Sequence, residues 1–176
     1  MKTLFNTISL ALICMVLVIA CNNSSKPADS SNATTATSSK KNVNKLSFKI
    51  DGVLWEADNK ISGIFHPKGY NKAVMMVGSK GAQNKDEQVF SLNLYGIEKE
   101  GEYNIQTNDA NKSVVQLANI SNTEPMCGSL EGYNFKISLK KCADNPTVIE
   151  ATFEGELTCN TDRKIKITEG VFYYYE

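Results

Sequence analysis

The sequence predicts an all-β fold: an antiparallel meander that forms a β-sandwich or a partly closed barrel. Three observations carry this. Beyond residue 44 apolar residues recur with period two in short runs, helical spacing is nearly absent, and glycines and asparagines punctuate the gaps.

The domain opens with a hairpin. Leu46, Phe48 and Ile50 alternate with Ser47 and Lys49, Asp51-Gly52 supplies a two-residue turn, and Val53, Trp55 and Ala57 resume the alternation. Further strands are expected at residues 73–78, at 89–95 with Phe90, Leu92 and Leu94 on one face, at 102–106 with Tyr103 and Ile105, and at 113–118. Turn residues separate them at Gly69-Tyr70-Asn71, from Gly78 to Asn84, and at Glu100-Gly101.

The C-terminal third is the most regular. Tyr133, Phe135, Ile137 and Leu139 alternate on one strand, Ile149, Ala151, Phe153, Gly155 and Leu157 on the next, and Ile165 and Ile167 on a third. Pairing the first two around Ala143-Asp144-Asn145-Pro146 places Lys140 opposite Glu150 and Lys136 opposite Glu154. The turn Asn160-Thr161-Asp162 then places Glu156 opposite Lys166. Opposite charges across strands indicate register, and they describe a solvated sheet face better than a binding strip.

Three cysteines, Cys127, Cys142 and Cys159, fall in this domain. The register puts Cys127 and Cys159 at one end of the meander and Cys142 at the other. A disulfide needs Cα atoms within ~7 Å, so the expected bridge is Cys127–Cys159, with Cys142 free. With no Cys-x-x-Cys spacing and one histidine, no metal site is expected.

Ahead of the domain stand two other segments. Residues 1–20 begin Met1-Lys2-Thr3 and run into an apolar stretch ending Val18-Ile19-Ala20, the pattern of a secretory signal peptide. With Cys21 the end of this stretch resembles the lipobox of bacterial lipoproteins, in which the thiol is diacylated, the peptide is cut before it, and the new amino terminus is often acylated with a chain such as palmitate. The run approaches the ~20 residues that span a bilayer, so an uncleaved anchor is the competing reading. The polar Asn22-Asn23-Ser24-Ser25 directly behind a small residue and a cysteine favours the lipoprotein. Asn22, in place of the aspartate that resembles an inner-membrane retention signal, points to the outer membrane of a Gram-negative envelope, on either face. Residues 21–44 are nearly all Ser, Thr, Asn, Ala and Lys, a composition that cannot bury a core and reads as a disordered tether. Residues 45–176 form the single domain, of a size that supports one hydrophobic core. The triplet Asn32-Ala33-Thr34 matches a glycosylation sequon, which has no force behind a bacterial address.

Lysine plus arginine and aspartate plus glutamate number 19 each. No field exists to gather nucleic acid, so none is expected as a partner; the membrane is expected as one, through the lipid on Cys21.

Several segments resemble a family of small uncharacterised lipoprotein domains abundant in Bacteroidota. These segments are Phe48-Lys49-Ile50-Asp51-Gly52 with Trp55-Glu56-Ala57, Gly101-Glu102-Tyr103, Ala151-Thr152-Phe153-Glu154-Gly155, and Ile167-Thr168-Glu169-Gly170-Val171-Phe172. The likeness covers most of residues 46–176. It implies an antiparallel β-sandwich or partly closed barrel, and its turn glycines and core aromatics imply no particular chemistry. The cysteine trio departs from the family's common pattern.

No sequence motif assembles a catalytic site. His66, in Phe65-His66-Pro67-Lys68-Gly69, has no nucleophile or carboxylate placed beside it by sequence and reads as a loop histidine between two strands. No Gly-x-Ser-x-Gly, phosphate loop or His-Glu-x-x-His occurs. Asp51, Glu56, Asp58 and Asp86-Glu87 lack the alternation of a calcium loop. Of Tyr173-Tyr174-Tyr175, at least one ring must face away from the core if the strand persists. The expectation is a non-catalytic binding or structural module of the cell envelope that needs no cofactor and contacts an envelope protein or glycan. The candidate ligand-binding residues are Trp55, Tyr70 and Tyr174. Two other functions compete: a lipocalin-like carrier with an apolar ligand inside a barrel, and an enzyme assembled from scattered Asp, Glu, Tyr and His66.

Overall fold

The structure, a computed structural model, describes residues 43–108 and 110–176. The expected signal peptide, Cys21 and nearly all of the expected tether lie outside the described residues.

Eleven strands and no helix make up the described residues. One six-stranded sheet runs in the order β2 (Val53–Glu56), β1 (Lys45–Ile50), β11 (Lys164–Tyr175), β10 (Thr147–Thr158), β9 (Tyr133–Asp144), β6 (Gly101–Gln106). The second has five: β3 (Asn59–His66), β4 (Ala73–Lys80), β5 (Gln88–Tyr95), β7 (Val114–Ser121), β8 (Glu124–Gly128). All pairings are antiparallel, and the two sheets pack as a β-sandwich without closing into a barrel.

Alternation decides which side chains enter the core. Leu46 and Phe48, Phe90, Leu92 and Leu94, Phe135 and Ile137, and Phe153 all point between the sheets and are buried. The aromatic rings meet there: Phe48 lies 4.6 Å from Trp55 and 4.8 Å from Phe90, centroid to centroid, and Phe90 lies 5.3 Å from Phe153. Each such side chain removed from water contributes ~1.5–3 kcal/mol, and the interior is filled by these rings.

Two glycines inside strands let the rings lie flat. A Cβ on Gly155 would sit 2.4 Å from the Phe135 ring, and one on Gly170 would sit 2.4 Å from the Phe153 ring. Gly155 and Gly170 are thus interior strand positions covered by a neighbouring ring.

The register departs from expectation at one point. Lys136 faces Glu154 and Glu156 faces Lys166, but a bulge beside Glu150 sets Lys141, not Lys140, against that carboxylate. Lys141 pairs with Glu150 at 3.8 Å, while Lys140 turns to Glu102 at 3.7 Å. An inserted residue shifts side chains one place along the strand, and alternation alone does not reveal it.

β3 and β8 are strands the sequence does not announce. His66 is accordingly not a loop residue: it ends β3 opposite Ala73 and is exposed.

Candidate functional site

At one end of the five-stranded sheet the β3–β4, β5–β6 and β6–β7 connections come together. Backbone bonds tie them: the Gly96 amide donates to the Lys72 carbonyl at 2.8 Å, and the Tyr95 amide donates to Ser113 Oγ at 3.1 Å. Gly96 takes a left-handed conformation (φ +74°), and a Cβ there would press on the Asn111 carboxamide at 3.4 Å. Only glycine fits this turn without strain.

Between these loops lies an open groove of about 650 Å³, lined among others by Tyr70, Asn71, Lys72, Tyr95, Asn111 and Lys112. Tyr70 is wholly exposed. Tyr95 reaches the groove because Leu94 before it points into the core, and successive strand residues face opposite sides. The Lys72 ammonium pairs with the Glu98 carboxylate, whose pKa it holds below the usual range. The lining side chains named here are phenols and carboxamides, which can stack against a ring and exchange hydrogen bonds in both directions, and two ammoniums, which only donate. No imidazole, thiol or carboxylate is among the described residues that line the groove.

The structure separates the three residues marked from sequence. Tyr70 stands at the groove. Trp55 is buried, stacked on Phe48, with its indole N–H donating to Gln88 Oε1 at 2.7 Å. Tyr174 is half-buried on the inner side of β11 over Gly63, where a Cβ would approach its ring to 2.8 Å. Trp55 is therefore a core residue and not a ligand contact, and no groove joins Trp55, Tyr70 and the terminal tyrosines. Of those tyrosines, Tyr175 is the exposed one. Sequence reasoning missed Tyr95, although the Phe90-Leu92-Leu94 alternation already fixes it as outward. Asn111 and Lys112 carry no such signal, since only folding brings their loop beside the other two.

A second depression, about 360 Å³, lies on the outer face of the six-stranded sheet among Glu102, Lys136, Glu154 and Glu169. Its charges are the cross-strand ladder, with Lys49 bonding Glu169 at 2.7 Å. Among the described residues no three metal-ligating side chains converge there or elsewhere.

The cysteines fall elsewhere. Cys127 and Cys159 form a disulfide, their Cα atoms 3.8 Å apart, linking the inner side of β8 to the residue after β10. Cys142 is free. Burial first, and then the Glu100 carboxylate, push its thiol up to about 11, so it stays protonated near neutrality.

Compared with known proteins, the chain matches no family model, no curated protein and no solved structure.

Proposed function

We propose that this chain is a lipid-anchored, non-catalytic binding module of the cell envelope that takes a neutral glycan in the loop groove beside Tyr70. The observation that carries the reading is Tyr70 itself, a fully exposed aromatic ring at the rim of a groove otherwise lined by carboxamides, ammoniums and a second tyrosine. An isolated ring in water gains nothing from exposure, whereas a ring beside amide donors and acceptors matches the apolar face and hydroxyl edge of a sugar.

The address rests on the lipobox-like Val18-Ile19-Ala20-Cys21: acylation of Cys21 would hold the domain at the outer membrane of a Gram-negative cell. Kinship with the small Bacteroidota lipoprotein domains is part of the same proposal. Against a carrier speaks the filled interior, in which Phe48, Phe90 and Phe153 occupy the space that an apolar ligand would need. Against an enzyme speaks the groove lining, which among the described residues holds no imidazole, thiol or carboxylate to pair with its phenols and ammoniums.

The test is calorimetric titration of the full-length chain in detergent with neutral oligosaccharides released from bacterial envelopes. Binding that Tyr70→Ala weakens by about tenfold or more, the loss of an anchor worth ~1.4 kcal/mol or above, supports the reading. Absence of binding, or binding that Tyr70→Ala leaves unchanged, overturns it.

A further inference from the structure

The two outer faces of the sandwich differ in charge. On the six-stranded sheet, outward residues such as Lys136, Glu150, Glu154, Glu156 and Lys166 form charged rungs across neighbouring strands. On the five-stranded sheet the corresponding rungs hold no charge. One reads Ile64, Met75, Asn93, Val114 across β3, β4, β5 and β7; the next reads Ser62, Val77, Ser91, Gln116. The flanking rungs add Ser79, Val89, Ala118 and Met126 on one side, where the Ser79 hydroxyl donates to Glu87 at 2.7 Å and Lys60 pairs with the same carboxylate at 3.8 Å, and His66, Ala73 and Tyr95 on the other, so that charge among these described residues is confined to one ion pair at the margin. A water-facing surface with ~25–35% charged residues would carry about four or five charges over this area.

We propose that the outer face of the β3-β4-β5-β7-β8 sheet is a self-association surface on which a second copy of this chain packs, face to face about a two-fold axis. Three features of the face point to a second copy. Five strands ~4.8 Å apart and about eight residues long cover roughly 600 Å². Two such faces together bury about 1,200 Å², the lower edge of the range for specific pairs. The absence of charge from the central rungs makes them compatible with themselves, because no like charge there meets its own image across the axis. At its centre Gln116 offers a carboxamide, which donates and accepts at once and so can pair with its own copy across the axis. A flat glycan is the weaker fit, since the central rungs contain no aromatic ring. The packing leaves the loop groove at the end of the sheet, and it does not depend on what the groove binds.

The experiment compares Val77→Cys, at the middle of the face, with Thr152→Cys, on the outer face of the other sheet, in the full-length chain on membranes treated with a short bismaleimide. The expected result is a product of twice the chain mass from Val77→Cys, at least about fivefold above both Thr152→Cys and the native chain. Gln116→Cys gives the same readout should Val77→Cys fail to fold. In parallel, Val77→Glu and Val77→Lys are each expected to weaken dimerisation by tenfold or more in sedimentation equilibrium in detergent. An equimolar mixture of the two restores it, since the opposed charges then meet across the axis. No crosslink above the controls, a crosslinked product of another mass, or a native chain that sediments as a monomer at 100-micromolar order overturns the proposal.

Discussion

Asp51 holds three pieces of the sandwich with one carboxylate. It sits in the β1–β2 turn at φ +48°, a conformation that Asp tolerates better than most residues. Its Oδ1 accepts the Lys166 amide at 2.8 Å, and its Oδ2 accepts from Arg163 Nη2 at 2.8 Å. Arg163 in turn donates through Nη1 to the buried Glu124 at the start of β8, so one guanidinium clasps both sheets. Asp51→Ala is expected to lower stability by about 1–2 kcal/mol in denaturant unfolding, the scale of a lost charged hydrogen bond at a half-exposed site. The sequence shows the Asp-Gly turn but gives no sign of the clasp, because Arg163 and Glu124 lie far along the chain. Cys142 offers a second check at this scale. A thiol raised from 9.0 to about 11 keeps its proton, so alkylation at pH 8 should be roughly 10–100-fold slower in the folded chain than in denaturant. Because the folded state holds that proton more tightly, its contribution to stability is complete below pH 9 and is lost as the pH rises through about 11.

Among elements, the long strands β9, β10 and β11 declare themselves in sequence because both their faces are used: apolar residues inward, charges outward. β3 and β8 do not, and both are edge strands. β3 carries Gly63 on its inner side under the Tyr174 ring and a bulge around Lys60 at φ +40°. β8 reads Glu-Pro-Met-Cys-Gly, with an exposed proline that only an edge strand accommodates. At such positions packing by neighbours replaces alternation, and sequence periodicity is silent. The glycines of β10 and β11 are a test of that packing. Gly155→Ala would bring a Cβ to 2.3 Å from the Asn134 carbonyl oxygen, a backbone atom that cannot step aside, and is expected to cost about 1–3 kcal/mol. The Cys127–Cys159 bridge was legible from strand register alone. With its ends 32 positions apart in sequence, its reduction should lower stability by ~2–4 kcal/mol, measured as a shifted unfolding midpoint.

At the level of the whole molecule, the charged sheet face, the sheet face whose central rungs hold no charge and the loop end divide the described surface into three regions of different chemistry. The all-β antiparallel architecture could be read from the sequence, which left a sandwich and a partly closed barrel open; the groove could not, because its walls come from three connections that only folding brings together. Tyr70 alone was visible, as an aromatic residue between turn residues. If Cys21 carries the proposed lipid, the chain should incorporate radiolabelled palmitate in growing cells and Cys21→Ser should abolish that label, whatever becomes of residues 1–20. The central claim, that the loop groove is the binding site, is tested most directly by hydrogen–deuterium exchange of the full-length chain with and without envelope oligosaccharide. The account predicts slowed exchange confined to residues 68–72, 96–100 and 110–113. Protection elsewhere on the sandwich with these loops unchanged would contradict it.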